Sequence, residues 1–181
     1  MRAWLCGVLA VALGGCAHSL PDRGAPIAVT PNDPAVIGLD VYGPERALTP
    51  DAPAYLGAST VQLRSFIDPP GVANRKETSS VCEVTGGVLF RATVETPAKI
   101  VVPNYGERSL RLSAKCTGDG KRGQGAVEVF NRREREFQEG LDALRKRTEL
   151  GAAVTAIVLA RRLADRETLE YEYPSLTVTL E

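Results

Sequence analysis

The sequence predicts an α+β fold, a small antiparallel β-sandwich with a helical insertion before its last strand. Apolar and polar residues alternate in short runs between residues 61 and 116, and turn residues separate these runs. Dense charge and a helical period follow over residues 131–165, and the alternation returns over residues 176–180. Short strands at this spacing are typical of a sandwich, and the change of period predicts the inserted helix.

The individual strands are predicted from alternating faces that end at glycine or proline. In the first strand Val61, Leu63 and Ser65 share one face, and a Pro-Pro-Gly turn ends the run. Pro103 is expected to close the fourth strand, because proline donates no hydrogen bond to a ladder. The same pattern predicts seven strands, over residues 61–67, 80–85, 88–95, 99–102, 110–116, 125–130 and 176–180.

The helical segment is predicted to begin at a capping box. Asn131 stands three residues before Glu134, which is the spacing at which a cap and a first-turn acid satisfy free backbone N–H groups. Phe137, Leu141 and Leu144 then recur at helical spacing among charged residues. We therefore expect one charged helix with a narrow apolar stripe.

An apolar stretch over residues 151–160 allows two interpretations. It is a helix packed in the core, or it is an exposed patch that meets a membrane or a partner, with Arg161 and Arg162 suited to lipid phosphates. Ten residues are too few to span a bilayer. We expect the core position, because Thr155 is the one polar residue of the stretch and almost no polar face remains.

Residues 1–15 are predicted to be a lipoprotein signal peptide. A single basic residue precedes about a dozen apolar residues, which suit a signal peptide but are too few to cross a membrane. Leu13 stands three residues before Cys16, with two glycines between them. Lipoprotein processing needs this aliphatic residue, these small residues and a thiol that receives the lipid. Cys16 is therefore the predicted lipidation site, and ordinary secretory cleavage after Ala17 is the alternative.

Residues 16–60 are predicted to form a tether that carries the lipidated cysteine, and residues 61–181 the domain. Seven of the twelve prolines fall between residues 17 and 60, where they exclude a long helix or a central strand. The apolar patch over residues 36–42 leaves a second interpretation open, in which part of the tether docks on the domain as an edge strand.

The cysteines predict one disulfide. Cys6 leaves with the signal peptide and Cys16 takes the lipid, so that Cys82 and Cys116 remain in the domain. Export places this pair in an oxidising compartment, where a bridge is expected in a small domain. Two buried reduced thiols are the alternative.

Composition argues against several classes of function. The net charge is zero and both signs are interspersed, so we expect no nucleic-acid partner. The single histidine, His18, lies in the predicted tether, which leaves no base for a catalytic triad and too few ligands for zinc. Carboxylates are present at Glu83, Glu95, Asp119 and Glu128, but no spacing pairs two of them across a cleft. We expect no enzyme, metal or cofactor.

Three glycines match a dinucleotide fingerprint literally. Gly118, Gly120 and Gly123 have the G-x-G-x-x-G spacing. That fingerprint requires a helix to begin at the turn, so that its N-terminus faces a pyrophosphate. The following residues favour a strand, and we therefore expect a hairpin without nucleotide binding.

Between Val81 and Cys116 a cysteine opens a strand, a Gly-Gly turn and a Thr-Pro break follow, and a second cysteine closes an alternating strand. This stretch resembles the cysteine-bracketed, PEGA-like β-sandwich of certain bacterial lipoproteins. The motif Tyr171-Glu172-Tyr173 before a proline and the last strand supports the resemblance. The resemblance implies this fold and membrane anchoring, and it brings no known activity or catalytic residues.

These observations predict a non-enzymatic envelope lipoprotein that carries diacylglycerol and palmitate on Cys16. Ala17 rather than Asp follows the anchor, which indicates the outer membrane and a domain that faces the periplasm. The expected partners are the membrane, through the anchor, and an unknown envelope protein that the chain holds as a scaffold or adaptor. The alternative is a periplasmic module that binds a small ligand or glycan through loops such as residues 117–124.

Overall fold

The computed structural model describes residues 19–68, 75–145 and 170–181. The predicted signal peptide, the lipidation site Cys16, His18 and the apolar stretch 151–160 lie outside the described residues. The two interpretations of that stretch therefore stay predictions.

Twelve strands form in the described ranges, and all seven predicted strands have a counterpart among them. They are β1 (Ile27–Ala28), β2 (Thr30–Pro31), β3 (Gly57–Ile67), β4 (Lys76–Thr78), β5 (Val81–Gly86), β6 (Phe90–Glu95), β7 (Ala98–Asn104), β8 (Leu112–Gly118), β9 (Lys121–Val127), β10 (Phe130–Asn131), β11 (Tyr171–Glu172) and β12 (Leu176–Leu180). The helical segments described are α1 (Gly43–Arg46), a 3-10 turn (Gly106–Arg108) and α2 (Arg132–Arg145).

Ten of these strands make two sheets that share one core. The first sheet has the order β1-β7-β3-β12, with β4 beside the end of β3, and the second has the order β2-β6-β5-β8-β9. Alternate residues of the longer strands point inward, as in β6, where Phe90, Ala92 and Val94 are buried and their neighbours are exposed. The alternating pattern of the sequence is thus confirmed as the inward face of a sandwich-like β fold.

The prediction of a wholly antiparallel sandwich needs one correction, in the first sheet. β12 runs parallel to β3, with Leu176 opposite Leu63, and β1 runs parallel to β7. A parallel neighbour needs a crossover of about a dozen residues or more. The long chain between β3 and β12 supplies one, so the last strand enters beside β3 without a hairpin.

The described part of the predicted tether lies on the sandwich. β1 pairs with β7 of the first sheet, β2 pairs with β6 of the second, and Val29 between them is buried. This stretch therefore covers one open side of the sandwich. The patch 36–42 docks as well, not as an edge strand but as a loop that buries Val41 and leads into α1. Short edge strands tolerate the prolines of this stretch.

Pro103 does not end β7, contrary to the sequence prediction. It lies opposite Ala58 of β3, inside the strand. The neighbouring residues show which way its nitrogen faces: Asn104 bonds toward β3, and Val101 accepts from Val29 on the opposite side. The nitrogen of Pro103 therefore points to the side of β1, beyond the last paired residue, where no ladder donor is needed.

Two glycines of β9 let the second sheet close against β12. A Cβ on Gly123 would lie 2.1 Å from the carbonyl oxygen of Thr179, and one on Gly125 would lie 2.6 Å from that of Thr177. Beside this contact the backbones of Arg122 and Glu181 exchange two hydrogen bonds, of 3.2 and 3.0 Å. The edges of the two sheets are thus joined along one side of the sandwich.

The described part of the helical segment begins where the sequence predicts. β10 and β11 form a two-stranded ribbon, and α2 starts directly after Asn131. The Asn131 side chain accepts the N–H of Glu134 at 3.3 Å, which confirms the predicted cap. Glu134 itself accepts from Gln138 rather than reaching back to the cap. The remainder of the segment to residue 165 lies outside the described residues.

Candidate functional site

The sandwich has two ends with different chemistry. At one end, called the hairpin end, the chain enters at Leu20, whose N–H donates to Glu77, and the β8–β9 turn lies nearby with Asp119 bonded to Thr78. The other end, called the tyrosine end, consists of residues 32–56, 87–89, 105–111, 128–131 and 170–175. β3 and β7 each run from one end to the other.

Tyr105 organises the tyrosine end. It is 4% exposed, and its hydroxyl accepts the N–H of Val41 at 2.8 Å. Tyr42 packs edge-on against its ring, with centroids 4.9 Å apart, and Tyr55 packs at 5.9 Å. Arg46 pairs with Asp40 beside them. Tyr105 therefore fixes the loop that precedes β3, and burial raises the pKa of its hydroxyl.

All five tyrosines of the chain lie at this end. The hydroxyl of Tyr173 donates to the carbonyl of Leu110 at 2.6 Å, and burial raises the pKa of Tyr173 to about 12. Tyr171 is held by its carbonyl, which accepts from Asn104 at 3.0 Å. Burial, and then the charge of Glu107, raise the pKa of Tyr171. Tyr171 is half-buried, and its hydroxyl lies beside the carboxylate of Glu107.

A groove of about 540 Å³ opens between these tyrosines and the loop before β3. Its walls combine the aromatic rings of Tyr105 and Tyr171 with small apolar side chains and Leu56, while Asp51, Glu107 and Arg108 stand at it. Gly106 also lines the groove, and a Cβ at this position would be 3.1 Å from the Leu56 side chain. Aromatic walls with a few charged groups are typical of binding sites.

The predicted disulfide is present. Cys82 of β5 lies directly opposite Cys116 of β8, their sulfurs are bonded, and both residues are buried. The bridge therefore joins neighbouring strands of the second sheet from its inner face. It is a structural element of the core and leaves no thiol for chemistry.

The loop expected over residues 117–124 is a tight hairpin. Asp119 and Gly120 form its two-residue turn with φ angles of 50° and 72°, as a type I′ turn requires. β9 follows at once, so the glycine motif carries no helix, as expected. A groove of about 560 Å³ beside this hairpin is lined by Lys115, Arg122 and other polar residues. None of the described residues that line it is aromatic.

Three of the four carboxylates considered for catalysis, Glu95, Asp119 and Glu128, have structural partners. Glu95 pairs with Arg23 at 2.8 Å, and Glu128 faces Arg111 at 3.7 Å. Glu83 lies on the outer face of β5 and is exposed. Within residues 19–68, 75–145 and 170–181, no three potential ligands come together in a way that could hold a metal ion.

A buried hydroxyl cluster is a feature that sequence reasoning missed. Ser65, Ser80 and Thr96 are at most 3% exposed and bond to one another and to the carbonyl of Thr78. The visible signal is Ser65, a polar residue on the apolar face of its strand. Because every hydroxyl of the cluster has a partner, the cluster joins the two sheets.

The hairpin end carries a second polar cluster, on the outer face of the first sheet. Asp22 accepts from Gln62 at 3.0 Å and pairs with Lys99 at 3.0 Å, and these hydrogen bonds lower the pKa of its carboxyl. Arg64 joins the cluster to Glu77 at 2.6 Å. The groups neutralise each other, so the cluster fastens the entering chain to the sheet.

Comparisons with known proteins give no relative to argue from. No family model, curated protein or solved structure matches the chain. The resemblance to PEGA-like lipoproteins therefore stays a prediction. Among the described residues, no helix has the length and apolar character that crossing a bilayer requires.

The buried tyrosine makes a testable prediction about alkaline stability. The pKa of Tyr173 is 10.0 for a free side chain and about 12 in the fold. Its contribution is complete below pH 10 and is lost as the pH rises toward 12, because only the neutral hydroxyl suits burial and donation to Leu110. The loss is about 2–3 kcal/mol.

Urea unfolding of the wild type and of Tyr173→Phe, from pH 8 to pH 12, checks this prediction. The other tyrosines are present in both chains, so the difference between them isolates Tyr173. We expect the variant to be about 1 kcal/mol less stable at pH 8, because the Leu110 carbonyl loses its donor. The gap should close and reverse by pH 12, and a constant gap would contradict the assignment.

Proposed function

We propose that the chain is a non-enzymatic lipoprotein of the cell envelope, which holds a protein partner near the membrane. The observation that carries the adaptor role is the placement of α2. The ribbon of β10 and β11 carries it at the tyrosine end, and Glu170 anchors its first turn by ion pairs with Arg132 at 2.5 Å and Arg133 at 3.3 Å. Gln138 and Glu139, a further turn along, are exposed.

An exposed charged helix on a β domain suits recognition of another protein. The exposed side chains of α2 carry both signs of charge, which favours register and specificity over raw affinity. The helix also carries Phe137, Leu141 and Leu144 at helical spacing in the sequence. A helical segment that continues toward residue 165 belongs to the same proposal.

The adaptor role is tested by a photo-crosslinking amino acid at Glu139 in the full-length chain, in its native envelope. The matched control carries the same amino acid at Glu83, which is also exposed but lies on the outer face of β5. We expect a discrete protein adduct from position 139 and none from position 83. Equal adducts from both positions, or none from position 139, would remove the support for an adaptor.

The proposed lipid anchor predicts that one substitution, Cys16→Ser, abolishes lipidation completely. Cys16→Ser removes the thiol that would receive the lipid, so we expect loss of alkyne fatty-acid labelling and either release from the membrane fraction or an unprocessed precursor. Cys6→Ser, in the predicted signal peptide, is the control and should label normally. Wild-type labelling of Cys16→Ser would exclude the anchor.

A small-ligand or glycan-binding module is the second candidate. The observation that favours it is the aromatic groove at the tyrosine end, not the hairpin at residues 117–124. Tyr171 offers part of a ring face there, and Asp51 and Glu107 could accept from hydroxyl groups.

A further inference from the structure

The tyrosine end carries an excess of negative charge. Its residues include eight carboxylates but three guanidinium groups. The carboxylates are Asp33, Asp40, Glu45, Asp51, Glu107, Glu128, Glu170 and Glu172, and the guanidinium groups are Arg46, Arg108 and Arg111. The net charge of the whole chain is zero, so the rest of the chain carries a net positive charge.

Ion pairs leave most of this negative charge in place. Arg46 neutralises Asp40, Arg111 neutralises Glu128, and α2 neutralises Glu170. The five other carboxylates form no ion pair with the described residues, and Arg108 donates to the main-chain carbonyl of Asp51 rather than to a carboxylate. Within the ranges that define this end, five carboxylates without an ion pair therefore stand against Arg108, and α2 adds Arg135, whose guanidinium lies over the ring of Phe130.

Large apolar side chains are exposed at the same end. Leu56 is 65% exposed at the groove, and Tyr55 beside it is 37% exposed. Ile37, Leu48 and Val88 are more exposed still. By contrast, Ile27 and Val81 are the large exposed apolar residues of the described chain that lie elsewhere. Apolar side chains among unpaired carboxylates mark a surface that gains by being covered.

The tyrosine end lies opposite the end at which the chain leads to the predicted anchor. The chain reaches the sandwich from residue 19 at the hairpin end, and the seven residues of β7 separate the two ends by about 20 Å. Anionic lipid headgroups and a second acidic tyrosine end would both be repelled by the unpaired carboxylates. The occupant therefore needs positive charge.

We propose that the tyrosine end docks a basic protein segment that also carries apolar side chains. This rests on the proposed function, because it takes the partner of the adaptor to be a protein. A lysine or arginine of the partner would lay its aliphatic stem along Leu56 and Tyr171 and bring its charge to Glu107 and Asp51. Apolar side chains of the same segment would cover Leu56 and Tyr55.

The test uses the full-length chain in its native envelope, with a photo-crosslinking amino acid at Leu56. The control places it at Val81, a residue of similar exposure on the hairpin half of β5. We expect an adduct from position 56 and none from position 81. Mass spectrometry of the adduct should identify a partner segment with a net positive charge.

Charge variants then separate docking from chance proximity. Glu107→Lys together with Asp51→Lys should lower the yield at position 56 by about tenfold or more, because like charges would face each other. Glu83→Lys, on the outer face of the second sheet, should leave it unchanged. A synthetic peptide of the crosslinked segment should bind the purified chain, and the binding should weaken as salt rises.

Several outcomes would overturn the proposal. They are a glycan or lipid adduct, a neutral or acidic segment, equal yields at positions 56 and 81, and a yield indifferent to the Lys variants. An adduct from Glu139 without one from Leu56 would overturn this docking surface and leave the adaptor role standing. Silence at both positions would reject both.

Discussion

Replacing both Cys82 and Cys116 by alanine is expected to lower the free energy of unfolding by about 3–4 kcal/mol for the lost bridge, and further for the lost packing of two buried sulfurs. The bridge closes a loop with a sequence separation of 34, which limits the freedom of the unfolded chain. In the fold the two residues already face each other across β5 and β8. The bridge therefore acts chiefly on the unfolded state, and the strand pairing should persist without it.

Urea unfolding of three samples measures this effect. They are the oxidised wild type, the wild type with reductant, and the double alanine variant. The reduced wild type keeps both buried sulfurs, so its loss reports the bridge alone, whereas the variant adds the cost of lost packing. We expect neither Cys82 nor Cys116 to be a free thiol in the oxidised chain. Superimposable unfolding curves with and without reductant would contradict a stabilising bridge.

Sequence periodicity could predict these strands because each has one face toward solvent and one buried face. The runs around Val61, Phe90 and Leu176 alternate for this reason, and each lies where it was expected. The disulfide could also be predicted, because Cys82 and Cys116 are the two cysteines that remain after the predicted export. These predictions depend on local pattern or simple counting.

The features that sequence reasoning missed depend on pairing over long distances. Val29 lies among prolines, and nothing local shows that a distant sheet has an open side for it. Sequence reasoning ended a strand at Pro103. A strand accepts a proline where its nitrogen faces no ladder partner, and only the fold shows that direction. The gathering of tyrosines around Tyr105 likewise arises from three loops that meet only in the fold.

The glycines of β9 are another case in which local pattern misleads. The sequence marks Gly118, Gly120 and Gly123 as a nucleotide motif to be weighed, whereas Gly123 serves a contact with the last strand. Only the turn glycine, Gly120, needs its backbone freedom, with a φ of 72°. Gly123 instead supplies space, which is a property that no sequence motif records.

Gly123→Ala is expected to destabilise the fold by about 3 kcal/mol or more, at the upper end of what overpacking costs. The new Cβ would lie 2.1 Å from the carbonyl oxygen of Thr179 and 2.8 Å from its carbonyl carbon. Both atoms belong to the backbone of β12, which is fixed on its other side by pairing with β3. Neither strand can move aside without breaking the contact that joins the sheets.

Gly140→Ala is the matched control, because it makes the same chemical change at a described residue of α2. A Cβ there meets nothing within 4 Å, and alanine favours a helix over glycine by about 1 kcal/mol. The two variants should therefore shift the urea midpoint in opposite directions. Hydrogen exchange of Gly123→Ala should also show lost protection in β12 and β9, while β5 and β6 remain protected. A loss below about 0.5 kcal/mol for Gly123→Ala, the level of ordinary surface changes, would mean that β12 does not pack against β9 in this way.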